Sequence, residues 1–156
     1  MGTAVSGAPD PAPALALDAL SDGWRCCWKG LRRTDAREIN RLETWLWLDG
    51  PAQPEGRVGG ATRELALAMN AVIIGNGVPE TEGAGIDAWH RLAEIKVPVT
   101  VVCGDLDVPF LVDRCRLLAA RLPVARHYVL AGMAHQPYLE SASTVAQLIR
   151  AGVTGG

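Results

Sequence analysis

The sequence lacks three features that would narrow its class at once: a long hydrophobic run, an excess of charge of one sign and a cysteine framework. No apolar stretch approaches the ~20 residues that a membrane-spanning helix needs, so we expect no membrane partner. The net charge is only −2, which gives no general attraction to nucleic acid. The amino terminus has no basic segment and carries prolines at positions 9, 11 and 13, so we expect no signal peptide.

The cysteines form no recognisable pattern. Two are adjacent and a third lies within an apolar segment, which favours reduced thiols and a cytoplasmic location. The four are Cys26, Cys27, Cys103 and Cys115. A metal site built on the adjacent pair would also need His90 or His127, and that spacing matches no structural zinc motif. We therefore expect no metal and no cofactor.

Three regions differ in composition along the chain, whose length allows one domain with a core of its own. Residues 1–13 are a short apolar piece, the size of a strand end, with a proline-rich linker. Residues 14–85 have helical patterns, an unusual share of tryptophan, and loops rich in glycine and proline. Residues 86–156 alternate between apolar strands and amphipathic helices. That order predicts an α/β fold with parallel strands.

Two helices are predicted clearly in the middle region. The first covers residues 36–48, with a cap at Asp35 and Glu38 as its reciprocal partner, and it ends at the sequence Asp-Gly-Pro of residues 49–51. The second covers residues 61–74 and ends at Gly75. The inward faces are predicted to contain Ile39, Leu42, Trp45 and Leu46 in the first helix, and Leu65, Met69, Val72 and Ile73 in the second.

The carboxyl-terminal region contains two predicted strands, 97–103 and 125–130. The first is apolar except for Thr100, which is typical of a strand covered on both faces in a parallel sheet. A short helix over 86–95 precedes it, a helix over 110–122 connects the strands, and a helix over 138–151 follows. The last helix is predicted to face inward with Leu139, Ala142, Val145, Leu148 and Ile149.

An acid and a histidine follow these two strands: Asp107 comes after the first and His135 after the second. Ligands of parallel sheets bind beyond the carboxyl ends of the strands, so the two side chains are candidates for a catalytic pair. A carboxylate on one imidazole nitrogen fixes the tautomer, and the other nitrogen can take a proton from a hydroxyl. On spacing alone, Asp107 or Asp105 could instead cap the following helix, and His135 could be an ordinary turn histidine.

Four segments together resemble one family. They are 45–51 (WLWLDGP), 95–99 (IKVPV), 104–107 (GDLD) and 132–140 (GMAHQPYLE). They are similar to the W-x-D-G-P cap segment, the I-x-V-P-x start of the penultimate strand, the G-x-x-D acid turn and the G-x-x-H-x-P-x-L-E histidine segment of the α/β-hydrolase superfamily. More narrowly, the pattern looks like the esterase, enol-lactonase and cofactor-free haloperoxidase type. The resemblance covers nearly the whole chain, in order.

This resemblance implies a partial α/β-hydrolase fold and particular residue roles. Asp107 matches the acid of a Ser-His-Asp triad and His135 matches its histidine, with a small-molecule ester or lactone as the substrate. Residues 14–85 match the helical cap, in which Trp28, Trp45 and Trp47 would line an apolar acyl pocket. Ordinary core packing is the alternative role for these tryptophans.

The nucleophile of that family is missing from the sequence. In this fold the serine lies in a G-x-S-x-G turn before the cap, and neither that motif nor the oxyanion loop is present. The serines are Ser6, Ser21, Ser141 and Ser143. The resemblance is therefore to the carboxyl-terminal half of the fold.

Two functions remain as expectations. The first is an ester-type hydrolase whose nucleophile comes from another segment or chain; Cys103 is a poor substitute, because a strand cysteine is usually inert. The second is a catalytically inactive, truncated hydrolase that acts as a binding or interaction module, or a non-functional fragment. Missing neighbours would leave a strand edge and helix faces open, so we expect a homo-oligomer or a complementing chain.

Overall fold

The computed structural model describes residues 5–9, 35–76 and 86–154. Trp28, the adjacent cysteines at 26 and 27, and Ser21 lie outside the described residues. Within the described ranges, no helix is long and apolar enough to cross a membrane.

The described residues form helices and a small parallel sheet. Their order is α1 (Ala36–Thr44), a π-helical turn (Trp45–Asp49), α2 (Gly60–Asn76), a 3-10 helix (Ala88–Glu94), β1 (Val99–Gly104), α3 (Pro109–Arg121), β2 (Ala125–Leu130), α4 (Pro137–Glu140) and α5 (Ala142–Thr154). The carboxyl-terminal half therefore has the predicted alternation of strands and helices, which is a partial α/β fold.

The two strands pair in parallel, as predicted. The register runs from Val99 opposite Ala125 to Gly104 opposite Leu130, so both strands end at the same edge. Val101 and Cys103 are buried, whereas Thr100 is exposed on the other face of β1. The strand was predicted to be covered on both faces. The face of Val101 and Cys103 is covered, whereas the face of Thr100 is covered only towards the carboxyl end of the strand.

A hydrophobic core covers that buried face. It joins β1 to the 3-10 helix and to α3, and its buried members are Trp89, Leu92, Val101, Cys103, Cys115 and Leu122. Residues 5–9 pack at its border, where Val5 and Ala8 contact the core and the Ser6 carbonyl accepts the Trp89 N–H at 2.8 Å. These five residues form a turn rather than the strand end that their composition suggested.

Helix α1 begins at the predicted cap. The Asp35 carboxylate accepts the backbone N–H groups of Arg37 and Glu38, at 2.9 and 3.4 Å. Glu38 pairs with Arg41 at 2.6 Å instead of reaching back to Asp35. The predicted single helix over 36–48 is in fact α1 followed by a wider π turn, which the Gly50 N–H closes on the Trp45 carbonyl at 3.1 Å.

Helix α2 packs against α1 through a different face from the predicted one. Hydrogen bonds join it to α1, since Asn40 donates to the Leu67 carbonyl at 3.0 Å and Asn70 donates to Asn40 and Glu43. Ala66 is the buried residue of the helix. The side chains predicted to face inward are instead 43–62% exposed, namely Leu65, Met69, Val72 and Ile73. The polar α1 contacts turn that apolar face outward.

The last predicted helix is interrupted. Ser141 has an extended backbone, with φ −148° and ψ 82°, and this separates α4 from α5. The break changes which side chains face the core: Leu139, Val145 and Leu148 are partly buried, while Ala142 and Ile149 are exposed. The predicted inward face is therefore wrong for Ala142 and Ile149.

Candidate active site

The turn after β1 and the turn after β2 lie against each other. The Asp105 N–H donates to the Leu130 carbonyl at 3.1 Å, and the Leu106 N–H donates to the Met133 carbonyl at 2.9 Å. At Gly104, any side chain would collide with the Met133 carbonyl, so the close approach requires glycine. Backbone hydrogen bonds alone therefore join the two turns.

Asp105 adds a side-chain link between the same turns. Its carboxylate accepts the Gly132 N–H at 2.7 Å. Helix α3 has Val108 as its cap residue and has no side-chain cap hydrogen bond, so neither Asp105 nor Asp107 acts as a helix cap. The alternative interpretation of these acids as caps is therefore wrong.

Asp107 is buried and uses both of its carboxylate oxygens. Its Oδ1 accepts the N–H of Val108 at 2.6 Å, and its Oδ2 lies 2.8 Å from Nδ1 of His135. The side chains are 5% and 12% exposed, respectively. A carboxylate accepts only, so Nδ1 carries a proton, and in a neutral imidazole the free lone pair is then on Nε2.

The π-helical turn covers the histidine. The Trp47 ring lies 4.7 Å from the His135 ring, centroid to centroid, with the planes tilted by 49°. Trp45 donates its indole N–H to the Gln53 carbonyl at 2.9 Å and packs near a second core cluster of Leu46, Val108 and Leu111. Of the three tryptophans predicted to line an acyl pocket, Trp47 therefore contacts the histidine, and Trp28 is outside the described residues. Trp45 and Trp47 both pack against this core cluster, as the alternative role predicted.

Asp49 organises the loop between the π turn and α2. It is fully buried and accepts the N–H groups of Gly56 and Val58, each at 2.9 Å. Arg63 pairs with it at 2.6 Å. The sequence indicated only a helix end at this position. The glycine that follows allows close approach to the acid turn, because a side chain at Gly50 would meet the Leu106 carbonyl.

Two further residues connect this loop to the histidine turn, and sequence reasoning assigned a role to neither. Arg57 pairs with Glu140 at 2.7 Å, and Glu140 accepts the Ala134 N–H at 2.7 Å, directly before His135. Glu140 is the last residue of the G-x-x-H-x-P-x-L-E pattern, which was the available signal. No local pattern marks Arg57.

Burial and a raised thiol pKa both argue against Cys103 as a nucleophile. It is 4% exposed, with its sulfur 3.6 Å from Nε2 of His127. A hydrogen bond with Cys115, then burial and the charges of Asp107 and Asp105, raise the pKa of the Cys103 thiol far above its usual range. The thiol therefore stays protonated, and the thiolate needed for attack does not form.

The remaining histidines and serines have other surroundings. His90 is 66% exposed and contacts Asp87. The Ser141 hydroxyl bonds to Thr144 at 2.8 Å, at the junction of α4 and α5. In the parts of the chain that the structure describes, His135 contacts Asp107 and Trp47 but no hydroxyl, and no cluster of three metal-ligating side chains occurs.

An open groove of about 380 Å³ lies on the α3 side of the sheet. It is lined by Asp105, Asp107, Pro109, Val112, Asp113, Arg116, His127 and Val129. It touches the acid but neither His135 nor Trp47. The groove is therefore separate from the acyl pocket that the tryptophans were predicted to form.

The two parallel strands and the helices that alternate with them form a partial α/β fold. The structure resembles that of 2-hydroxy-6-oxo-6-phenylhexa-2,4-dienoate hydrolase (BphD) from Rhodococcus sp. strain RHA1, an α/β-hydrolase, with a TM-score of 0.58 and 19% sequence identity. The match covers 94% of this chain and 52% of that one, so the chain spans about half the length of the hydrolase. No family model matches the sequence. No curated protein matches it either.

Proposed function

We propose that this chain forms the acid–histidine half of a hydrolase active site that acts on carboxylic esters or lactones. The observation that carries the proposal is the 2.8 Å contact between Asp107 Oδ2 and His135 Nδ1, at the carboxyl edge of a parallel sheet. Both side chains are nearly buried, which strengthens their interaction and limits competition from water.

In the proposed mechanism, His135 is the general base. Its Nε2 takes the proton of an attacking serine hydroxyl as that oxygen bonds to the substrate carbonyl carbon, and it gives the proton to the alcohol as the ester C–O bond breaks. Water then attacks the acyl-enzyme in the same way, with Nε2 taking its proton and returning it to the serine as the acid leaves. Asp107 keeps the Nδ1–H tautomer and stabilises the imidazolium formed in between. The serine belongs to a G-x-S-x-G segment outside this sequence, on a complementing chain or segment that also provides the oxyanion donors.

The substrate class rests on the sequence resemblance together with the cap. Trp47 lies beside His135, where its ring offers an aromatic surface to an acyl group. Trp45 is the first residue of the same π turn and adds a second indole to it. Such a wall favours an apolar acyl group. The structural neighbour is named for a dienoate, so that compound belongs in the substrate panel with short-chain aryl esters and lactones.

The experiment is a complementation assay. The DNA upstream of the Met1 codon is sequenced, any segment that encodes G-x-S-x-G is co-expressed with this chain, and hydrolysis of a short-chain aryl ester is measured. We expect turnover and fluorophosphonate labelling of the partner serine, with a loss of about 10³-fold or more in His135→Ala. His90→Ala is the control, since His90 is exposed and pairs with Asp87.

The second candidate is a binding module without catalysis. It is favoured by one observation, that no hydroxyl contacts His135 among the described residues. The complementation assay separates the two. Turnover that is unchanged in His135→Ala, or no turnover by a folded, assembled complex, excludes the hydrolase and leaves the module.

A further inference from the structure

Arg57 joins three segments that are distant in sequence. Its Nε donates to the Asp49 carbonyl at 2.8 Å and its Nη2 to the Leu48 carbonyl at 2.6 Å, both at the end of the π turn. Its Nη1 donates to the Gly132 carbonyl at 2.9 Å in the histidine turn. Nη2 also pairs with Glu140 Oε2 at 2.7 Å in α4. One guanidinium therefore fixes the distance between the cap and the histidine turn.

Glu140 completes the connection to the histidine. Its side chain is only 7% exposed, and each of its oxygens has a separate partner. Oε2 accepts from Arg57, and Oε1 accepts the Ala134 N–H at 2.7 Å. Ala134 is fully buried and immediately precedes His135. A shift of the carboxylate would therefore move the backbone that carries the imidazole.

We propose that the Arg57–Glu140 pair is a positioning device that orients His135 towards Asp107. This inference rests on the proposed function, because it concerns the same acid–histidine pair. Neither residue contacts the imidazole; both act through the backbone of Gly132 and Ala134. The pair also makes the orientation depend on the cap, since Arg57 is held by the last two carbonyls of the π turn.

The histidine turn is also held by contacts that involve neither Arg57 nor Glu140, so loss of the pair should change its orientation without unfolding the protein. Three hydrogen bonds tie the histidine turn to the acid turn without the pair: Asp105 N–H to Leu130, Leu106 N–H to Met133, and Gly132 N–H to Asp105. Removal of the pair leaves these in place. The turn then stays attached to the sheet, but Ala134 loses its acceptor and Gly132 loses its donor. We therefore expect a folded protein with a misdirected imidazole.

The readout is the tautomer of His135, observed by NMR of the full chain with ¹⁵N-labelled histidine. The chain has three histidines, and the variants His90→Gln and His127→Gln assign the other two. At about pH 8.5, two units above the ordinary imidazole pKa, the ring nitrogens distinguish an Nδ1–H from an Nε2–H tautomer. We expect the Nδ1–H tautomer to predominate for His135 in the unaltered protein.

Two variants remove the pair in different ways. Arg57→Ala deletes every contact of the guanidinium. Glu140→Gln keeps the size of the side chain, but it replaces one oxygen by an NH₂ donor, which would face either the Arg57 guanidinium or the Ala134 N–H, both of them donors. In both we expect His135 to lose the predominance of the Nδ1–H tautomer. Arg91→Ala is the matched control, because Arg91 pairs with Glu94 at the surface, and it should leave the signal unchanged.

The tautomer of His135 tests the proposed function and the positioning proposal separately. If His135 is not predominantly Nδ1–H in the unaltered protein, the acid–histidine pair fails and the proposed function fails with it. If it is, and the folded variants keep that tautomer, the Arg57–Glu140 pair has a structural role only and the positioning proposal is overturned. If Arg57→Ala does not fold, Glu140→Gln and Arg57→Lys decide by the same signal. Loss of folding in all three also overturns positioning.

Discussion

The Asp107 carboxylate has two hydrogen-bond partners. Its position after a predicted strand explains why the sequence alone identified it as a candidate catalytic residue. One oxygen accepts the Val108 N–H and the other faces His135. Both residues follow strand ends that short apolar patterns predict, and parallel pairing brings those ends together. Arg57 could not be found in that way, because its partners lie in three separate segments and no local pattern describes them.

Asp107→Asn tests the role of the carboxylate. The amide can still accept from Val108, but it no longer holds the Nδ1–H tautomer or stabilises the imidazolium, so kcat/KM of the complemented hydrolase should fall about 10⁴-fold. Ester turnover is the measurement. Asp113→Asn is the control, since Asp113 pairs with Arg116 on α3. Equal activities of the Asp107 variant and this control would contradict the assignment.

The Cys103 thiol predicts a pH dependence of stability. Its pKa is raised in the folded state by the Cys115 hydrogen bond and by burial, whereas an unfolded cysteine has a pKa of ~8.5. Above about pH 8.5 the unfolded chain therefore binds fewer protons than the folded one, and the free energy of unfolding should decrease by up to ~1.4 kcal/mol per pH unit. Urea midpoints between pH 8 and 10 measure this.

Cys103→Val provides the comparison for that titration. It removes the thiol while keeping an apolar side chain in the same core position, so the urea midpoint should vary less with pH above 8.5. Identical slopes in the two proteins would show that another group is responsible.

At the level of elements, local patterns predicted most of the secondary structure and little of its packing. The strand at 125–130 was predicted at its observed bounds, and α3 within one residue of them. The π turn, the break at Ser141 and the outward apolar face of α2 were not predicted. The packing of α2 involves contacts between distant segments, such as Asn70 with Asn40, and the loop after the π turn involves Asp49 with Arg63.

The loop after the π turn depends on one buried ion pair. Asp49→Ala would leave Arg63 without its buried partner and two backbone N–H groups without an acceptor, so we expect a loss of about 3 kcal/mol in the free energy of unfolding. Glu55→Ala is the matched control. Glu55 is also a partner of Arg63 but is 39% exposed, and its loss should cost about 0.5 kcal/mol. Equal urea midpoints for the two variants would contradict this expectation.

At the level of the whole molecule, the chain matches about half of a hydrolase and has many exposed apolar side chains. Val97, Val129, Ile149 and Val153 are 50–79% exposed, in addition to the apolar face of α2. Exposed apolar surface of this kind is typical of interfaces, and a two-stranded sheet is too small to be stable without further packing.

We therefore expect the purified chain to self-associate or to require a complementing chain. Light scattering coupled to size-exclusion chromatography should show a mass above 16.6 kDa that increases with concentration. Co-purification with a chain that carries G-x-S-x-G would replace that self-association. A monomer that melts in one cooperative transition and binds no partner would contradict the expectation.

The contact between the Trp47 and His135 rings makes ligand binding at the histidine measurable by fluorescence. Because the indole lies 4.7 Å from the imidazole, a ligand seated against the histidine changes the polarity around Trp47 and so its fluorescence. The difference between the emission of the protein and of Trp47→Phe isolates that signal from the other tryptophans. Titration of an ester into the protein therefore tests, by fluorescence at equilibrium, whether the ligand binds beside His135.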